Sequence, residues 1–249
     1  MRSGFVSLIA GNVRSRPLRT VLTTIGIIIG VATIVLLLSL GQGMRNAITG
    51  AFSSVGSDMI LVQAATPGFG PPGQDAIKPI TKKDVDLLKG VTGVGRVGGR
   101  LLKSGLLETK EETRSVFIAS LPEESDSRAL IEEANAMKIV AGSDLKSSDT
   151  NKVLVGSLLW KSPILESVVA VGKTIVLSGK EFVVVGHLAP AGGPRDGVVV
   201  MNEESLRAII NDEDTYSMVA VETAEGAVPK TIAESITRLL RKERGVKEG

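Results

Sequence analysis

From Thr20 to Met44 the chain reads TVLTTIGIIIGVATIVLLLSLGQGM, 25 positions without a charged residue. A helix of about 20 residues already crosses the roughly 30 Å hydrocarbon core of a bilayer, so this run predicts a membrane-spanning helix. A buried helix of a soluble domain is the poorer reading, because such helices seldom stay uncharged on every face for so long. A cleavable signal sequence competes more seriously, since it too pairs a basic start with an apolar run. Against it stand a run longer than the usual 7 to about 15 residues, a late beginning and the lack of a convincing small-x-small cleavage site.

The helical period outlasts the apolar run. Leu40, Met44, Ile48, Ala51, Phe52 and Val55 recur at steps of three and four and predict a stalk stopping at Gly56. Upstream, Phe5, Leu8, Ile9 and Val13 recur at helical spacing, predicting a short interfacial helix that Pro17 breaks; a solvated tail is the alternative. Arg14, Arg16 and Arg19 precede the apolar run and only Arg45 follows it closely. Basic residues stay on the cytoplasmic side, which places the N-terminus inside and the long C-terminal part outside the plasma membrane. Within the span Gly26 and Gly30 form a GxxxG flanked by Thr23, Thr24 and Thr33. Small residues one turn apart let a second helix backbone approach closely, so Gly26, Gly30, Thr23 and Thr33 are candidate helix-packing positions.

Beyond the stalk the period changes. Met59 to Gln63 (MILVQ) reads as a strand, and TPGFGPPGQ, from Thr66 to Gln74, as a flexible Pro/Gly loop. Thr81 with Asp84 predicts a capped helix through Lys89, with Val85 and Leu88 buried. SVFIA (Ser115 to Ala119) leads to a helix around Arg128 to Met137, with Leu130, Ile131, Ala134 and Met137 on one face. Strands are predicted at Lys152 to Val155, Thr174 to Leu177, Phe182 to Val185 and Gly197 to Met201, with Ser178, Gly179 and Lys180 as a hairpin connection. Tyr216 to Glu222 alternates as a strand, and Pro229 opens a helix with Ile232, Ile236, Leu239 and Leu240 on one side.

This order predicts an α+β fold: one N-terminal transmembrane helix extended as a stalk, then a two-part extracytoplasmic domain with a β-rich inserted subdomain. The expected boundaries are a cytoplasmic segment at 1–19, the membrane helix at 20–44, the stalk at 45–56 and the core domain at 57–249, with the insertion at about 120–205.

Charge narrows the possible functions. Residues 1 to 44 hold four Arg and no acid, leaving 25 bases against 27 acids in the remainder, and aromatics make up only 3%. A nucleic-acid binder needs clustered cations and aromatics for stacking, so nucleic acid is not an expected partner. With no Cys there is no disulfide, thiol nucleophile or Cys-bound zinc.

Gly93, Gly95 and Gly98 spell GxGxxG, but they follow a predicted helix where a dinucleotide loop follows a strand, and they read as a turn. No GxxxxGK[ST] phosphate loop occurs. His187, the single His, lacks partners for a triad or a metal site and reads as structural. The carboxylate clusters Glu111-Glu112, Glu123-Glu124-Asp126 and Asp212-Glu213-Asp214 read as solvated, and Trp160 and Phe182 as core. No enzyme activity and no cofactor are expected.

The block NVRSRPLRTVLTTIGIIIGVATIVLLLSLGQGMRNAI resembles the first membrane helix, with its outward continuation, of MacB-like (macrolide-exporter type) ABC transporter permeases, related to FtsX and the lipoprotein-releasing permeases. MKIVAGSDL, NKVLVGSLLW, VGKTIVLSGKEFVVVGHLAP and DGVVVMNEESLRAII are similar, in order and character, to that family's extracytoplasmic core domain. The resemblance implies a permease subunit that couples a separate ABC ATPase to an external domain for export or extraction of an amphiphilic substrate. It also implies a homodimer, or a heterodimer with another permease subunit. An FtsX-like scaffold regulating an external partner such as a cell-wall hydrolase is the alternative. Family members carry three further membrane helices after the core domain, whereas no uncharged run near 18 residues follows Met44. A fragment, a split gene or a degenerate copy is therefore expected.

Overall fold

The computed structural model describes residues 17–53, 58–64, 76, 78–109, 113–163, 165 and 168–245; in the first helix, side chains are described at Leu18 and from Val21 to Gly43. The expected interfacial helix around Phe5 to Val13, the Thr66 to Gln74 loop and Glu111-Glu112 lie outside these residues. The chain forms two compact units, Met1–Gly50 and Ala51–Gly249.

Helix α1, Pro17–Ser53, is continuous. It opens with Pro17, whose missing N–H costs nothing in a first turn that has no acceptor for it. Its Val21–Gly43 portion has a mean hydropathy of 2.7 and no buried residue, so it is long and apolar enough to cross a membrane. Ile27, Ile28, Ile29 and Leu36 to Leu38 are all exposed, on every side of the helix. A soluble core helix would have buried them; lipid tails cover such a surface, and the helix satisfies its own backbone groups.

The second unit begins with β1 (Met59–Gln63), β2 (Ile80–Thr81), α2 (Lys82–Lys89), β3 (Val94–Arg100), β4 (Leu102–Glu108), β5 (Thr113–Leu121) and α3 (Ser125–Ala134). It continues with β6 (Ile139–Gly142), β7 (Lys152–Val155), α4 (Ser157–Trp160), β8 (Thr174–Leu177), β9 (Lys180–Leu188), β10 (Val198–Asn202), α5 (Glu203–Ile210), β11 (Thr215–Tyr216), β12 (Met218–Thr223) and α6 (Pro229–Arg244).

Two sheets result. The smaller is antiparallel in the order β1-β12-β3, with Met218 opposite Arg100 and Ala220 opposite Gly98. The larger runs β6-β9-β7-β10-β5-β4-β8, and β8 also pairs with β9. That extra pairing, from Thr174↔Val183 to Leu177↔Lys180, closes six of the strands into a barrel and removes the open edges a flat sheet would expose. Its turn is Ser178-Gly179, with φ of 49° and 79°, the pair of positive values that a two-residue hairpin needs. The sheet's strands come from Leu102 to Asn202, so β4 and β5 begin ahead of the expected insertion start near residue 120.

Alternation along the barrel strands separates two cores. Leu107, Val116, Ile118, Val153, Val155, Ile175, Leu177, Phe182, Val184, Val199 and Met201 fill the interior. Ala119, Leu121, Val198 and Val200 face outward onto α3, through Leu130 and Ile131, and onto Ala220 of the smaller sheet. The smaller sheet's other face carries Val97, Val219 and Val221 against Val85 and Leu88 of α2 and Ile232 and Ile236 of α6. Helix α3 is thus a layer between the small sheet and the barrel wall. It fits closely because Gly98 has no side chain: a Cβ there would lie 2.9 Å from Ser127 O. Its observed bounds, Ser125–Ala134, begin and end about three residues before those expected, since the αL conformation of Ala136 (φ 50°) stops the helix before Met137.

The chain crosses between the two sheets at Leu101 and returns at Ser217, and both crossings are tied by buried hydroxyls. Ser120 Oγ accepts from Leu101 N at 2.8 Å, and Ser217 Oγ accepts from Leu102 N at 2.9 Å while donating to Leu102 O at 3.0 Å. Capping follows the sequence reading at α2, where Thr81 N donates to Asp84 Oδ2 at 2.8 Å and Asp84 N donates back to Thr81 Oγ1 at 3.4 Å.

Candidate functional site

On α1 the spacing of Thr23, Gly26, Gly30 and Thr33 puts all four on one stripe. Each is exposed, and a Cβ added at Gly26 or Gly30 would meet nothing within 4 Å. The stripe is therefore a shallow, unfilled groove along an apolar helix. Thr33 Oγ1 donates to Ile29 O at 2.7 Å, satisfying its hydroxyl inside the helix. Arg19 falls in the first turns of α1, while Arg14 and Arg16 lie outside the described residues.

In the second unit the histidine, the aromatic side chains, the glycine run and several carboxylates are committed to structure. His187 lies on β9, with Nε2 2.8 Å from Val169 O, and stacks on Trp160 at 5.2 Å between ring centroids. Trp160 Nε1 donates to Leu188 O at 3.0 Å, so the two rings brace the barrel rim, while Phe182 is fully in the interior. Gly93 makes a turn with φ 89°, but Gly95 and Gly98 belong to β3, where a phosphate loop is ruled out by the strand itself. Glu123 accepts from Glu204 N at 3.0 Å, Glu124 from Ser127 Oγ at 2.9 Å, and Asp212 from Thr215 N at 3.0 Å. Tyr216 donates to Glu203 Oε1 at 3.0 Å; burial, together with the Glu203 charge, pushes its phenol up to about 12. Among the described residues no cluster of three His, Cys, Asp or Glu side chains could hold a metal.

An apolar opening in the domain lies where α3 ends. Between the small sheet and the outer barrel wall, beyond Ala134, the layer is not filled, and a cavity of about 480 Å³ remains. Its floor on the small sheet is Leu61, Met218, Ala220 and Arg100; its barrel side is Leu102, Phe117, Val198 and Val200. Register explains the small-sheet set, since Arg100 lies opposite Met218 and Leu61 opposite Ala220, so Leu61, Met218, Ala220 and Arg100 point to the α3 side. The chain around Pro194 and Arg195 forms the remaining rim.

Arg100 sets the electrostatics of this cavity. It is only 6% exposed, and its Nε has no hydrogen-bond partner among the described residues. Burial, with the charge of Arg195 added, pushes its guanidinium down to about 10. By contrast Arg96, four residues earlier on the same strand face, is held by Glu222 at 2.6 Å and Glu133 at 2.7 Å. Arg100 escaped the sequence reading because VGRVGGR drew notice for its glycines. The available signal was the alternation Arg96, Gly98, Arg100, which puts an arginine on the inward face of a strand.

An apolar, membrane-length helix precedes an α+β domain of small sheet, helix layer and closed barrel. Residues 20–239 match the MacB-like periplasmic core domain, and the chain belongs to that family. It is 27% identical over 236 residues to an uncharacterized ABC transporter permease of Methanocaldococcus jannaschii, covering 94% of this chain and 57% of that protein. It is also 24% identical over 245 residues to the macrolide export ATP-binding/permease protein MacB of Campylobacter fetus, covering 96% of this chain and 37% of the relative. The chain thus spans about half the length of one relative and about a third of the other. The periplasmic region of MacB from Actinobacillus actinomycetemcomitans superimposes with a TM-score of 0.58 at 15% identity, over 78% of this chain and 87% of that one. The extracellular domain of the transporter YknZ from Gram-positive bacteria does so with a TM-score of 0.54 at 20% identity, over 76% and 96%. At such identities these two structures establish the shared fold.

Proposed function

We propose that this chain is the membrane helix and external domain of an ABC transporter permease that works with a separate ATPase subunit to export or extract an amphiphilic substrate. The observation that carries the reading is the succession of one uncharged, fully exposed helix, Val21–Gly43, and a domain whose family match begins at residue 20 and runs to 239. A continuous α1 through Ser53 is a stiff element suited to carrying movement across a bilayer. The excess of Arg before the apolar run sets the N-terminus in the cytoplasm, within reach of an ATPase, and the core domain outside. The Thr23, Gly26, Gly30 and Thr33 groove is where a second permease helix packs, from an identical or a different subunit.

The test is co-expression of the full chain with an ABC ATPase subunit from the same genome, followed by purification from membranes. Retention of the ATPase, with its hydrolysis rate altered by the chain, supports the transporter reading. Purification without ATPase, but with a cell-wall hydrolase bound to the external domain, replaces it with an FtsX-like scaffold.

A further inference from the structure

The cavity at the end of α3 combines two features that do not belong together without a third component. Its walls are apolar, with Leu61 and Phe117 left 38% and 36% exposed, yet it holds the buried Nε of Arg100 without an acceptor among the described residues. A guanidinium is always charged and presents five donors in a planar fork, and burying it unpaired is strongly unfavourable.

Among the described residues, the carboxylates flanking this point are engaged elsewhere. Glu222 and Glu133 bind Arg96. Three carbonyls of the last turn of α3, natural partners for a cation, are also engaged. Ile131 O accepts from Asn135 N at 3.1 Å and Asn135 Nδ2 at 2.7 Å, Glu132 O from Met137 N at 3.0 Å, and Glu133 O from Ala136 N at 3.0 Å. Arg195 lines the same cavity and adds positive potential where a counter-charge is wanting. A volume of about 480 Å³ lies within the ~300–1,000 Å³ of small-molecule sites, which are characteristically apolar with a few placed polar groups.

We propose that this cavity binds a single-chain anionic amphiphile, an alkyl carboxylate, whose head group pairs with Arg100 and whose chain lies along Leu61, Phe117 and Met137. A carboxylate matches the guanidinium fork with two parallel hydrogen bonds, and the alkyl chain covers the exposed apolar side chains. The site stands on this cavity alone and requires neither an ATPase nor transport.

The experiment uses the full chain in nanodiscs, with radiolabelled decanoate in equilibrium dialysis and empty nanodiscs subtracted. Saturable binding is expected, weakened about 10- to 100-fold by Arg100→Gln, in line with loss of a charged hydrogen bond, and weakened less by Arg100→Lys, which keeps the charge but not the planar fork. Neutral 1-decanol should bind more weakly than decanoate and equally to both the unaltered chain and Arg100→Gln. A melting measurement guards against a folding defect: without ligand, Arg100→Met should melt above the unaltered chain, and decanoate should raise the melting temperature of the unaltered chain alone. Decanoate binding no greater than to empty nanodiscs, binding indifferent to Arg100→Gln, or an Arg100→Met protein that melts below the unaltered chain each overturns the proposal.

Discussion

Gly98→Ala probes the contact that holds α3 between the two sheets. The added Cβ would lie 2.9 Å from Ser127 O and 3.1 Å from Ile131 Cγ1, so α3 must retreat by roughly half an ångström to reach the 3.4 Å at which ordinary contact begins. Forcing one methyl into such a layer costs about 1–3 kcal/mol. The retreat also stretches the 2.8 Å hydrogen bond from Ser127 Oγ to Val97 O, adding about 1 kcal/mol. Removing a glycine from a strand offsets about 0.5–1 kcal/mol. The net destabilisation is about 2 kcal/mol, which for a domain of this size lowers Tm by about 4–8 °C. Circular dichroism melts should show that loss in Gly98→Ala and little change in Gly95→Ala, where the nearest atom to a new Cβ is 3.4 Å away. A Gly98→Ala protein melting within about 1 °C of the unaltered chain would refute the close seating of α3 on β3.

Two further outcomes follow from pairs of elements. Burial raises the Asp84 carboxyl, but hydrogen bonds from Arg244 and Thr81 outweigh it and hold the group below its ordinary 3.8. Its stabilisation is therefore complete above about pH 4 and lost as pH falls through the lowered value. Asp84→Ala, removing the N3 half of the capping box and a 2.5 Å partner of Arg244, should cost about 2–4 kcal/mol at neutral pH; urea midpoints between about pH 2 and 7 should show its acid limb flattened. In the membrane, Gly26→Leu with Gly30→Leu fills the α1 groove and should weaken helix pairing by about 1–2 kcal/mol, read as roughly tenfold less disulfide cross-linking between cysteines introduced nearby. Unchanged cross-linking would remove Gly26 and Gly30 from the interface.

Much of this molecule is local and so was legible in the chain. The apolar run from Thr20 to Met44 needs no partner to become a helix in lipid, because its hydrogen bonds close within itself. Strands Met59–Gln63, Lys152–Val155 and Thr174–Leu177 fall where their alternation or apolar runs put them, and the Thr81/Asp84 cap forms between neighbours. Resemblance to the MacB-like family was legible too, since it rests on the order of such phrases.

Tertiary structure alone decided which strands meet. Strand β8 pairs with both β4 and β9, closing the barrel, and nothing in TIVL specifies a partner some 70 residues upstream. The same holds for Arg100. Its sequence neighbours suggest a turn-rich, exposed stretch, and only the pairing with Met218, the seating of α3 on Gly98 and the early end of that helix at Ala134 bury the guanidinium in an apolar space. A helix through lipid is determined by its own composition, whereas a cavity is determined by what the surrounding elements leave unfilled.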